Sequence, residues 1–310
     1  MDFNEIKTKL SSIFALFILY ALIHNFFSNM NNSSNSLYSK FERKKHKGFL
    51  PLEASKKKYY ETFIKNLHKY NHSHKVSNKI FWCWLQGFDK APEISKASFR
   101  SIQKNCNNHN IIIINETNFN KYVKMPSYII SKFKNNTFSK THFSDLLRLE
   151  LLIKYGGTWI DSTVLMTKYE PLFFYQDLFF FEIKNKSVIF GSSWMITSEK
   201  ESPVLKTARD LLYEFWRREN FLCNYFLLHI FFNMAYKIYK KDYTKIPKFS
   251  RNPPHFLQAK LLDKFQKEKY QDILKRSSIH KLSYKIANKA KNKKGLFLDY
   301  IIKEYGGKTN

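Results

Sequence analysis

Residues 139–164 read SKTHFSDLLRLELLIKYGGTWIDSTV, and their order decides the fold. Ser139 or Thr141 can cap a helix, Leu147, Leu151 and Leu152 form an apolar stripe along it, and Gly156 supplies a left-handed stop. After Gly157 the chain turns into a β-rich run, Thr158 to Leu165, so a helix followed by a strand is predicted.

This order brings distant side chains level. From Arg148 to Tyr155 a helix advances about 10 Å at 1.5 Å per residue. From Thr158 to Asp161 an antiparallel return covers about 10 Å at 3.3 Å per residue. Asp161 therefore ends level with Arg148, and Asp145 lies on the same helix face, three residues earlier. Taken singly, Asp145 and Arg148 read as an exposed ion pair and Asp161 as a turn residue at a strand end. Together they suit a nucleotide diphosphate. A carboxylate can hold a divalent cation on phosphate oxygens, Arg can pair with phosphate, and a second carboxylate can accept from ribose hydroxyls.

Upstream, short apolar runs alternate with amphipathic stretches. Ile80 to Leu85 is a predicted strand, Pro92 and Glu93 open a helix reaching about Lys104, and Ile111 to Ile114 has the composition of a buried strand. The expected fold class is α/β, with helices flanking a mixed, partly parallel central sheet. Three cysteines, Cys83, Cys106 and Cys223, lie far apart and suggest neither a disulfide framework nor a cysteine zinc site.

The N-terminal region reads differently. Ile13 to Ile23 is an uninterrupted apolar run, IFALFILYALI, short for a membrane span. Residues 1–30 are expected to form a hydrophobic helix that anchors to or lies in a membrane interface, or packs on the main domain. Residues 31–75 read as a basic linker and helical lead-in, and 76–310 as the main domain. Lysines beyond the apolar run would keep the body on the cytoplasmic face and favour anionic headgroups.

The chain carries 53 Lys and Arg against 25 Asp and Glu, a formal charge of +28, scattered along its length. Such a field would attract nucleic acid, anionic lipid or an acidic polymer. No nucleic-acid motif appears and the lysines show no aromatic-basic periodicity, so nucleic acid is not the expected partner. A polyanion-binding protein remains an alternative.

The segment Ser144, Asp145, Arg148, Tyr155, Gly156, Gly157 and Asp161 resembles the signature of the capsular polysaccharide synthesis protein family, related to the DXD-containing sugar transferases of glycosyltransferase family 32. The run IFWCWLQG from Ile80, with Ala91 and Pro92, resembles that family's first strand and loop, and a thinner likeness extends over about residues 79–285. The resemblance implies a GT-A-like fold and a glycosyltransferase of hexosyltransferase type, retaining, with a nucleotide-sugar donor, a glycan or lipid-linked glycan acceptor and a divalent cation, Mn²⁺ or Mg²⁺. It implies that Asp161 and Arg148 act on the leaving group and Asp145 on the donor sugar or ribose. Trp84 would lie near the base, and Ser162 and Thr163 would contact the diphosphate.

One departure bears on metal binding. A full Asp-x-Asp is replaced by Asp161, Ser162 and Thr163, and Thr is a poorer cation ligand than a carboxylate. Metal binding would then be weaker, completed elsewhere or absent, with His280 and His255 as candidates for a distant ligand. Asn224 stands where the family often has Asp, which keeps a hydrogen bond and loses the charge. A degenerate, non-catalytic scaffold is the other reading that Thr163 leaves open.

Overall fold

The computed structural model describes residues 54–182, 191–244, 247–290 and 293–306. The expected N-terminal hydrophobic helix and most of the basic linker lie outside them. Among the described residues no helix is long and apolar enough to cross a membrane. Ala54–Leu222 with Phe226–Asn310 forms one compact unit, so the helical lead-in Ala54–Asn66 belongs to the main body.

Among the described residues, six strands make the central sheet. They are β1 Lys79–Cys83, β2 Asn110–Ile114, β3 Gly157–Asp161, β5 Leu178–Glu182, β6 Gly191–Ser198 and β7 Phe249–Ser250, in the order β2-β1-β3-β6-β5-β7. β1 runs parallel to β2 and β3, whereas β3 and β5 pair antiparallel with β6. The fold is α/β with a mixed sheet, as expected. The predicted strand Thr158 to Leu165 is two strands. The chain turns at Ser162 and Thr163, and β4 Val164–Met166 leaves the sheet to pair with β8 Ile279–Lys281.

Pleating assigns each face. Register pairs Phe81 with Trp159 and Cys83 with Asp161 on one face, and Ile80 with Thr158 and Trp82 with Ile160 on the other. The first face carries the helix Lys140–Tyr155, with Pro203–Arg218 and Leu227–Tyr239 behind and beside it. Leu147, Leu151 and Leu152 are fully buried there, each contributing about 1.5–3 kcal/mol by leaving water. Glu150 ties this helix to Pro203–Arg218, accepting from Tyr213 Oη at 2.8 Å and facing Arg209 at 3.6 Å. The second face is an aromatic core in which Trp82, Phe179 and Trp194 cluster with Phe99 of the helix Glu93–Asn105.

The turn between helix and β3 requires glycine twice. Gly156 and Gly157 have φ of +66° and +95°, and a Cβ on Gly157 would stand 2.5 Å from the Lys79 carbonyl. Only a residue without a side chain lets the helix end against β1 and the strand start at once.

Candidate active site

Asp161 closes β3 beside the end of β1, at the carboxyl ends of two parallel strands, where α/β sheets present their ligand crevices. Arg148, on the helix above, sends Nη2 to within 3.1 Å of Asp145 Oδ1 and 3.6 Å of Asp161 Oδ1. The convergence expected from helix and strand lengths is therefore present.

The guanidinium is more enclosed than an exposed phosphate fork would be. Arg148 is 3% exposed. Its Nε donates to the Ser144 carbonyl, Nη1 to the Ser193 carbonyl at 2.6 Å and Nη2 to Ser144 Oγ, and the group lies over the Trp159 ring at 5.0 Å. Asp145, also buried, faces His142 Nδ1 at 3.4 Å with its other oxygen. Arg148 thus contacts both carboxylates from the helix side.

Asp161 is the more open member. Trp159 Nε1 donates to its Oδ1 at 2.9 Å, an i,i+2 contact along one strand face. Its Oδ2 lies 3.3 Å from Lys281 Nζ, and Lys281 also donates to Thr163 Oγ1. Burial alone would raise the Asp161 carboxyl, but Lys281, Arg148 and the Trp159 N–H together bring it below the ordinary carboxylate range. Burial lowers the Lys281 ammonium, and Asp161 acts in the opposite direction.

Lys281 is the residue that sequence reasoning missed. It is delivered by β8, whose ladder sets Lys281 opposite Val164 and continues where Leu282 N–H donates to the Thr163 carbonyl. The neighbouring His280, a candidate metal ligand in the sequence, is fully buried with Nε2 3.2 Å from Thr167 Oγ1. Desolvation lowers its pKa to about 3. Strand alternation sends adjacent residues to opposite sides, so the residue that reaches Asp161 from this segment is Lys281. His255 is buried, bonded through Nδ1 to the Arg251 carbonyl and set edge-on to Trp194.

Trp84 extends the end of β1, its backbone N–H donating to the Ile114 carbonyl. Its ring packs on the second-face core with Trp82 and edge-on to Tyr284 at 5.4 Å. It shares the strand-end rim with Asp161 but belongs to the other face of the sheet. Ser162 is half-buried in the β3–β4 turn, and Thr163 is buried. Cys83, the register partner of Asp161, is buried, which pushes its thiol up to about 12.

A divalent cation does not fit Asp161 as it is held. Both carboxylate oxygens face cationic or N–H donors, and the hydroxyl that replaces the second carboxylate is engaged by an ammonium. A different group of possible metal ligands, His72, His74 and Glu199, lies at the opposite end of β3, because Glu199 follows Ser198, the partner of Gly157. There Glu199 accepts from the Ser73 and His74 N–H groups and faces His72 Nδ1 at 2.6 Å, which fastens the lead-in to the sheet.

The chain belongs to the capsular polysaccharide synthesis protein family, whose profile it matches over residues 18–301. No curated protein matches it significantly. Among solved structures it is similar to the PaToxG glycosyltransferase, at 13% identity and a TM-score of 0.40, over 79% of this chain and 93% of that one. It is also similar to a glycosyltransferase involved in the glycosylation of the major capsid of PBCV-1, at 11% identity and a TM-score of 0.33, over 68% and 96% of the two chains.

Proposed function

We propose that the protein is a glycosyltransferase that moves a sugar from a nucleotide-sugar donor to a glycan acceptor during synthesis of capsular or other cell-surface polysaccharide. Family membership supports the biological setting. The observation that carries the chemistry is the meeting of Asp145, Arg148 and Asp161 at the carboxyl ends of β1 and β3.

In this reading the domain is of GT-A type. The donor's diphosphate lies over the β3–β4 turn, where Ser162 and Thr163 border it, and the nucleotide base approaches the Trp84 rim. Asp161 holds the cationic groups that meet the leaving diphosphate, Arg148 fixes the two carboxylates, and Asp145 faces the donor sugar or ribose. Departure of the diphosphate is the difficult step, and fixed positive charge beside it lowers the barrier. A retaining, same-face transfer of a hexosyl group needs no dedicated protein nucleophile. A lipid-linked glycan acceptor suits a protein held at the cytoplasmic face of a membrane by its apolar and basic N-terminal segments.

The test is a panel of nucleotide sugars incubated with the full chain, with released nucleotide read by mass spectrometry. Donor-selective release that Asp161→Asn abolishes is the expected result. No release from any donor, together with tight salt-sensitive oligonucleotide binding, would favour the polyanion-binding alternative.

A further inference from the structure

We propose that Lys281 is the cation that receives the donor's diphosphate, in place of a divalent metal ion; this rests on the transferase reading above.

The first ground is charge. A divalent cation held by two carboxylates leaves a cluster of no net charge. Here one carboxylate position is Thr163, and one ammonium, Lys281, is bound to the remaining carboxylate and to the threonine hydroxyl. Asp161 with Lys281 again sums to zero. A hydroxyl at Thr163 and a lysine from β8 are matched in charge: with one carboxylate, Asp161, a single ammonium balances the pair.

The second ground is donor geometry. An ammonium has three N–H donors and no acceptor. In Lys281 one points to Asp161 Oδ2 and one to Thr163 Oγ1, which leaves one for a phosphate oxygen. The side chain is 19% exposed, whereas that of Arg148 is 4% exposed and largely bonded to backbone and carboxylates. Of the two cations at Asp161, Lys281 is the one placed to meet a ligand. β8 holds it in register, through Val164 and the Leu282 bond to Thr163, so the charge is fixed before the donor arrives.

In the transfer, the bond from the anomeric carbon to the diphosphate oxygen breaks with both electrons passing to that oxygen. The acceptor hydroxyl oxygen bonds to the anomeric carbon, and its proton passes to the departing diphosphate. Lys281 donates to the oxygen charge that develops, backed by Arg148 through Asp161.

The experiment uses the full chain and the donor identified by the panel, with and without EDTA, followed by titration of nucleoside diphosphate into metal-free protein. Wild-type turnover is expected to change less than about 2-fold in EDTA or on adding Mn²⁺. Lys281→Met is expected to lose about 10²-fold in turnover, and Lys281→Arg to recover part of it. Metal-free wild type binds the diphosphate, and Lys281→Met binds it at least 10-fold more weakly. Turnover that EDTA abolishes and Mn²⁺ restores in wild type would overturn the proposal, and that arm does not depend on the variant folding. Full activity of a folded Lys281→Met would overturn it equally. A wild type that neither binds nor turns over any donor in either condition overturns the transferase reading, and this inference with it.

Discussion

Lys281 Nζ lies 3.3 Å from Asp161 Oδ2 and donates to Thr163 Oγ1, 118 residues away in sequence from that hydroxyl. The contact joins the small β4–β8 sheet to the end of the central sheet. It makes the Asp161 turn a junction between two sheets as well as the rim of the candidate site, and several consequences can be measured.

Asp161→Asn removes the negative charge between Arg148 and Lys281 while keeping the shape. Nucleotide release is expected to fall by about 10²-fold or more, as when a fixed electrostatic group is lost from a transition state. Turnover unchanged in a folded variant would remove Asp161 from the chemistry.

Asp161 also sets an acid limit on stability. Its folded pKa lies below the unfolded value of about 3.9, so folding favours the ionised form. The stabilisation is complete above pH ~3.9 and declines as pH falls from there through the folded pKa. Melting temperatures of wild type and Asp161→Asn should differ by a constant amount between pH 5 and 7 and converge below about pH 4. A gap that widens in acid would contradict the assignment.

Arg148→Ala leaves buried Asp145 and part of Asp161 without their partner, at a cost of about 3–5 kcal/mol in urea unfolding. Arg148→Lys should restore only a fraction, since an ammonium cannot reach Ser193, Ser144 and both carboxylates as the planar fork does. Equal stability of wild type and Arg148→Ala would mean that the network holds nothing together.

Two glycines make a matched comparison. Gly87 and Gly157 both have positive φ, but a Cβ on Gly87 meets nothing within 4 Å and one on Gly157 meets the Lys79 carbonyl at 2.5 Å. Gly87→Ala should cost about 1 kcal/mol from backbone conformation alone. Gly157→Ala should cost clearly more in the same unfolding assay, and equal costs would show that the turn relaxes freely.

Glu199→Ala withdraws the acceptor of the Ser73 and His74 N–H groups and the partner of His72. Those groups are partly exposed, so water replaces some of the loss and about 1–3 kcal/mol is expected. Trypsin should then cut faster at Lys69 and Lys75, and an unaltered cleavage pattern would show that the lead-in is held by other contacts.

Much of this protein follows from local sequence. Apolar spacing over Lys140–Tyr155, the paired glycines and the β-rich return are short-range signals, and they determine a helix and strand whose lengths bring Arg148 level with Asp161. Isoleucine runs and alternation mark β1 and β2. Where the β-rich run divides was not legible, because Val164–Met166 has the composition of a continuing strand and only its pairing with Ile279–Lys281 draws it into a second sheet. The same pairing decides the site. In the string SIHKLSYK, the candidate His280 stands next to Lys281, and strand alternation sends the two to opposite sides. Nothing in the local sequence says which side faces Asp161. Register across the chain turns His280 into a buried core residue and Lys281 into the partner of Asp161 and Thr163. The sequence by itself determined the carboxylates and the arginine, through helix and strand geometry. Only the tertiary structure decided which cation completes them, because that depends on a long-range strand pairing whose register no short window contains.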